Sequence, residues 1–548
     1  MATNPKPITA PTAGRQELRI LLGVWLAVAV AWFWLGGVTA TKLGFNYDEA
    51  IFAGLAKDFT TGNVHGYHMP GSSTINLLNR PFPVWNQPYL GSVKSWQLIP
   101  LFTIFEPSVF IARMSNLVWA MAGLLFFMLW VRKLFGLAEA VAGALLIATD
   151  PAFFYTSLLD WGAFVPSFAC RCAGFFFVLL AWRGRRPLYL FLAGAALGLG
   201  FFNKVDFVVV LLAATGATAV AYAKPALNFL RTRPKLLLLA ALGFVIGAGP
   251  MLVMSVRMFL FAARNNAPMN HGELSEKLHT LTAMYDGSYF YRMLDAGGLF
   301  DQMQTLTPPV WTPLGLALIA SIAVLGWQTV QLPAGSDARR VRIFLLTALG
   351  LATLGVFLLP RAVRIYHAIL AAPIAQLIIA VATVSLWRKF SGSGKKLAGA
   401  LIILIFAGLL AMQIVAVAKT EKLIFTTHGR GWWSDAQDRF AATVKNRADL
   451  TLVSLDWGFH ESLLFLTDKP TLVEPFWHLT GVSPAGLPKA TSSKATNYIY
   501  LVHPPEYSLS PFGVTFLEFA RKDSHAKITD WCDREGKAVF YTVQFTAP

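Results

Sequence analysis

The chain has 548 residues, 55% of them hydrophobic and only 14% charged, with a mean hydropathy of +0.53. A soluble protein of this length carries about 25% charged residues, so the composition excludes a soluble multidomain enzyme and a disordered chain alike. The net charge of +17 does not mark a nucleic-acid binder, because Lys and Arg fall in short clusters between apolar runs, the pattern of the positive-inside rule.

Those runs predict eleven spans. The first five are Ile20–Leu35, Val109–Val131, Leu137–Ala148, Ala163–Trp182 and Leu188–Phe202. Phe207–Ala223, Leu236–Val256, Val310–Thr329, Ile343–Leu359, Ala368–Trp387 and Leu397–Ala418 follow. The basic clusters Lys6/Arg15/Arg19, Arg132/Lys133, Arg183/Arg185/Arg186, Lys224/Arg231/Arg233/Lys235, Arg339/Arg340/Arg342 and Arg388/Lys389/Lys395/Lys396 fall in alternate loops. One topology satisfies all of them, with the N-terminus inside and, for an odd span count, the C-terminus outside. The first span is read as a retained anchor, since its apolar run is longer than a signal core, although Val38-Thr39-Ala40 would serve as a cleavage site. SGSGKK (391–396) lacks the first Gly and the Ser/Thr of a phosphate loop and reads as a connector. Cys170, Cys172 and Cys532 make no disulfide framework and read as small hydrophobes.

Three outer segments are too long for connectors: 36–108, 257–309 and 419–548. In the last, strand-like TLVSLDW (451–457), NYIYLVHP (497–504) and AVFYTVQF (538–545) alternate with helical stretches at Ala436–Val444 and Phe516–Arg521, which predicts a small α/β domain. The chain therefore divides into a membrane part, 1–419, and an outer α/β domain, 420–548.

The first outer segment contains FNYDEAIFAGLAKDF (45–59). Asp48 and Glu49 are adjacent carboxylates close to the membrane surface, where one titrates high unless cations or donors stabilise it. The residues behind them suit a short interfacial helix, so Asp48 reads either as a functional carboxylate or as that helix's cap. Asp160, in ATDPAFFYTSLLDWG (148–162), lies at a span boundary, where a carboxylate is costly and a functional role is the first hypothesis. LDWG recurs at 455–458 in the outer domain; four shared residues do not establish a repeat, but this copy is a candidate to face the active cleft from above.

An acidic pair just beyond the first span, in a large outer loop, resembles the GT-C glycosyltransferases, many-span enzymes that take a sugar from a polyprenyl-phosphate carrier. The protein O-mannosyltransferase and lipid A aminoarabinose transferase group is the nearest resemblance. PYLGSVKSWQLIPLF (88–102), FIARMSNLVWAMAGLLFFMLWVRKLFG (110–136), GLGFFNK (198–204) and RAVRIYHAILAAP (361–373) are similar to that group's segments in order. The resemblance implies a GT-C-like helical membrane domain. It assigns catalysis to Asp48, Glu49 and Asp160, and substrate binding to Lys94, Arg113, Lys204, Arg361, Arg364 and Tyr366. The chain departs from the group at Ile51, where the aminoarabinose transferases carry Arg.

The chemistry of these residue types agrees. Leaving phosphate needs cations, because charge grows there in the transition state, and the acceptor hydroxyl needs a carboxylate to take its proton. Lys204 reads as a phosphate ligand or as the salt-bridge partner of Asp206 in NKVD; Arg361 and Arg364 read as phosphate ligands or as snorkelling side chains. Trp85 and Trp96 are candidates for sugar stacking. Some members of the wider superfamily use a divalent cation with the acidic pair. His65, His68, His271 and His279 show no tight ligand spacing, so no metal ligand is assigned and a divalent metal stays the one open cofactor.

The expected activity is inverting transfer of a sugar from a polyprenyl-monophosphate donor to an acceptor hydroxyl or phosphate at the outer face of the plasma membrane. The partners are that lipid donor, membrane lipid and an acceptor of unspecified class, with no nucleic acid. The alternative is a transporter or flippase of a lipid-linked saccharide, which should place its ionisable residues near the bilayer midplane between repeats.

Overall fold

The computed structural model describes residues 11–62, 72–184, 186–265, 274–298, 311–359, 364–392, 394–479, 483–484, 487, 497–509 and 511–546. Helix α1 (Pro11–Thr39) leads to α2 (Tyr47–Thr61), an antiparallel sheet of β1 (Ser73–Leu77), β2 (Arg80–Gln87) and β3 (Leu90–Gly91), and α3 (Val93–Ile104). There follow α4 (Val109–Leu134), α5 (Leu137–Thr149), α6 (Pro151–Leu159), α7 (Phe164–Gly184), α8 (Pro187–Asn203), α9 (Val208–Thr232) and α10 (Pro234–Asn265). The second outer segment holds α11 (Leu274–Tyr285) and α12 (Tyr289–Ala296). After it come α13 (Leu314–Gln331), α14 (Asp337–Leu358), the one-turn α15 (Ile365–Ala368), α16 (Ile374–Gly392) and α17 (Lys396–Thr427).

Nine of these helices are long and apolar enough to cross a membrane: α1, α4, α7, α9, α10, α13, α14, α16 and α17. The protein is a multi-pass membrane protein. Every run expected to span is helical, but two depart from the simple eleven-span reading. Helix α5 bends by 66° into α6, and only the pair together has the length of a span. The break has a local cause: Asp150 accepts from the amides of Ala152 and Phe153 and starts a new helix, while Pro151 cannot continue the old ladder. Helix α8 is apolar but short. It packs on α10 through Gly194 and Gly198 against Gly243 and Gly247, where a Cβ would stand 2.0–2.4 Å from a backbone carbonyl oxygen of the other helix. Small residues four apart let two membrane backbones approach this closely.

The C-terminal domain, expected on the outer side, contains α18 (Ala436–Val444), β4 (Leu450–Ser454), α19 (His460–Leu466), β5 (Thr471–Val473), β6 (Asn497–Val502), α20 (Pro511–Lys522), β7 (Ala526–Cys532) and β8 (Ala538–Phe545). Its sheet order is β5-β4-β6-β8-β7, with β4 parallel to both β5 and β6 and the last two strands antiparallel. The three expected strands and both expected helices are present.

The first outer segment differs from expectation. Helix α2 is not an exposed interfacial helix. Tyr47 and the run from Glu49 to Phe59 are buried, under the three-stranded sheet, α3 and α19 of the C-terminal domain. The hairpin β1–β2 is obscured in sequence by Pro81 and Pro83, which lie where β2 pairs only with β1, so their missing amides interrupt no second ladder. Its turn residues Leu78 and Asn79 both have positive φ, 55° and 59°, as a two-residue hairpin demands.

Candidate active site

Asn46, in FNYDEA, caps α2: its Oδ1 accepts from the Asp48 amide at 2.9 Å, and its own amide donates to Glu49 Oε1 at 3.2 Å. The capping role considered for Asp48 therefore belongs to Asn46 and Glu49, which leaves the Asp48 carboxylate free of it. Half-buried Asp48 instead lines a cavity of about 20 Å³, walled also by Gln87, Tyr89, Trp161, Lys204 and Tyr366. Burial pushes the Asp48 carboxyl up to about 6; the charges of Arg364 and Lys204 pull it down, and Glu49 pushes it further up.

Lys204 reaches this cavity because the chain on both sides of it is fixed. It pairs with Leu90 as an isolated antiparallel bridge, and the Val205 amide donates to the Tyr89 carbonyl at 3.1 Å. Its ammonium lies 3.9 Å from the centre of the Tyr366 ring and 3.0 Å from Asp206 Oδ2. Tyr366 can approach because position 162 is glycine; a Cβ there would stand 2.1 Å from the ring. Arg364, half-buried at the start of α15, acts electrostatically on Asp48, Tyr366 and His367.

The other assigned residues are not in the cavity wall. Arg113 is fully buried and all five of its N–H donors are occupied. Nε and Nη2 each meet a Glu49 carboxylate oxygen at 2.7 Å, and the rest go to the carbonyls of Ala40, Leu43 and Gly44. It has no donor left for a substrate, and the expectation of a substrate contact at Arg113 is corrected to a structural one. Glu49, bound by that guanidinium, holds the start of α2. Asp160 sits behind Trp161 and Gly162, caps α7 through the amides of Phe164 and Val165, and takes the Lys94 ammonium at 3.2 Å on Oδ2 and 2.5 Å on its carbonyl. Lys94 also lies 4.3 Å from the Phe52 ring centre. The two assigned residues thus hold each other beneath the wall. Arg361 lies outside the described residues, as do His65, His68 and His271. Among the described residues no three His, Cys, Asp or Glu side chains group as metal ligands.

Trp96 donates to the Pro83 carbonyl at 2.6 Å and packs on Phe82 and Phe202, so it is a packing residue. The second LDWG is not in the cavity wall; its Trp457 packs at a tilt on Tyr47, beside Asp48, with ring centres 4.6 Å apart. Gln87, Trp161 and His367 had no distinguishing signal in the sequence. Arg171 had one, a lone cation inside an apolar run.

A multi-pass helical protein with a C-terminal sheet domain and a carboxylate–cation cavity walled by residues of the membrane part defines the class. Residues 91–253 match the model of the dolichyl-phosphate-mannose-protein mannosyltransferase family. That segment holds Lys94, Arg113, Asp160 and Lys204 but not Asp48 or Tyr366. Among solved structures, the fold is similar to ArnT from Cupriavidus metallidurans. The apo form aligns with TM-score 0.56 and 13% identity over 97% of this chain and 98% of that one. The form bound to undecaprenyl phosphate gives TM-score 0.54 and 13% identity over 98% of both. No curated protein matches the chain by sequence. The chain thus shares the fold of these ArnT structures, and its segment 91–253 carries the mannosyltransferase family match.

Proposed function

We propose that the protein is an inverting glycosyltransferase of the outer face of the plasma membrane, taking its sugar from a polyprenyl-monophosphate carrier. The observation that carries this reading is the meeting of Asp48, Lys204 and Tyr366 in one cavity, with the Arg364 charge in range. Asp48 takes the proton of the acceptor hydroxyl while that oxygen bonds to the anomeric carbon. The bond from that carbon to the phosphate oxygen breaks with its electron pair, and the lipid phosphate leaves carrying the added charge. Lys204 and Arg364 are the cations placed to meet that charge. A single displacement inverts the anomeric centre and needs no covalent enzyme intermediate. The ArnT structure of similar fold is bound to undecaprenyl phosphate, which supports the same class of carrier here. The acceptor is a hydroxyl or phosphate group presented from outside.

Asp48→Asn tests the reading. The amide keeps the shape of the side chain but cannot accept a proton, so sugar transfer and release of polyprenyl phosphate should fall by about 10²–10⁴-fold, with insertion and thermal stability unchanged. Full activity in this variant defeats the assignment.

A further inference from the structure

Beneath the Asp48 cavity lies a second layer of buried charge that the reaction as written does not use. Asp206 is 6% exposed and Arg171 2% exposed. Asp206 stands in the 3-10 turn Val205–Phe207 that opens α9, with its Oδ2 3.0 Å from Lys204 Nζ. His367 Nε2 is 3.8 Å from the same oxygen; burial and nearby cations hold His367 well below the usual imidazole range, so the ring meets Asp206 uncharged. The remaining charge acting on Asp206 is Arg171, from the interior of α7. Arg171 donates through Nη1 to the Leu370 carbonyl at 2.7 Å, four residues along the chain from Tyr366, and lies over the rings of Phe164 and Phe168. Its Nε and Nη2 have no hydrogen-bond partner among the described residues. A guanidinium held this deep in a span, with two nitrogens unbonded, is costly and calls for a function.

Resting on the transferase reading above, we propose that Asp206 is a positioning residue that sets the Lys204 ammonium over Tyr366, and that Arg171 supplies the counter-charge. A lysine head is a point charge on a four-carbon stem, so it must be aimed by something else to meet a phosphate at a fixed place. Lys204 has its backbone tied to Leu90 and its head drawn back by Asp206, which leaves the ammonium between that carboxylate and the cavity. An anion behind a phosphate-binding lysine also weakens its pull on phosphate. Arg171, whose charge acts on Asp206 and which is not in the cavity wall, offsets that loss without competing for the ligand.

The probe is undecaprenyl phosphate, with its Kd measured on the purified full-length protein in nanodiscs together with the thermal midpoint. Asp206→Asn should raise Kd about tenfold, the size of one lost charge-assisted contact, with the midpoint little changed; Asp206→Glu should recover most of the affinity. In the double variant with Lys204→Met the Asp206→Asn effect should vanish, because the ammonium it aims is gone. Arg171→Gln should raise Kd threefold or more (about 0.7 kcal/mol) with the Lys204–Asp206 pair intact. Wild-type Kd in a folded Asp206→Asn overturns the inference. Should that variant not fold, a wild-type Kd in a folded Asp206→Ala overturns it too. A wild type that binds no undecaprenyl phosphate overturns the transferase reading and this inference with it.

Discussion

Asp48 sits in two opposed fields. Burial and Glu49 favour its neutral form, whereas Arg364 and Lys204 favour the carboxylate, and the balance leaves it at about 6. A general base must be deprotonated before it can act, so kcat/KM should be full above about pH 7 and fall about tenfold per unit below about 6. An unperturbed carboxylate would hold activity to about pH 4. The sign of the Lys204 contribution gives a sharper check. Lys204→Met removes a charge that lowers the Asp48 value, so the acid limb of the residual activity should move to higher pH. A limb that stays near pH 4 in the wild type, or moves down in the variant, excludes Asp48 as the base.

At the scale of elements, the site depends on where α2 begins, and Arg113 fixes that point by joining α4 to the carbonyls before α2 and to Glu49 within it. Arg113→Met leaves Glu49 buried with only the Asn46 amide, and removing one partner of a buried pair costs about 3–5 kcal/mol. The expected result is a lower thermal midpoint in detergent and loss of transfer, although Arg113 touches no substrate; an unchanged midpoint contradicts the structural role. The same pair shows what could be read from sequence. Long apolar runs and basic clusters are properties of neighbouring residues, so the helices and the strands of the C-terminal domain were legible. The expected span ends at Ala148, just before the cap and proline at Asp150–Pro151, but the helix α6 that follows them reads as a loop in the sequence. Pairing had no local signal. Glu49 and Arg113 are 64 positions apart, and whether an arginine meets a carboxylate of its own chain or a phosphate is decided by tertiary packing. Lys94 and Asp160, drawn from one list of candidates, turned out to be partners for that reason, while Asp206 looked like a local salt bridge and is also part of a layer reaching to Arg171.

For the molecule as a whole, the C-terminal domain is part of the site's frame. Phe45 donates its amide to Asp438, Phe465 packs on Phe45 and Phe102, and Trp457 packs on Tyr47. The tightest joint is Lys57, 5% exposed, whose ammonium donates to the carbonyls of Leu464, Phe465 and Thr467 and pairs with Asp468 at 2.8 Å. These carbonyls close the C-terminal end of α19, where backbone acceptors lack helical partners and a cation is favoured. Lys57→Met keeps the apolar stem but leaves those acceptors and Asp468 without it, a loss of about 3 kcal/mol for a buried charged contact. Hydrogen exchange should then quicken in α2 and α19 together while the membrane helices stay protected, and transfer should fall because Asp48 rides on α2. Lys445 pairs with the same Asp468 but is about half exposed, so Lys445→Met should change neither exchange nor transfer measurably. If Lys57→Met speeds exchange in α19 alone and leaves transfer intact, the C-terminal domain is only tethered to the catalytic part and does not brace it.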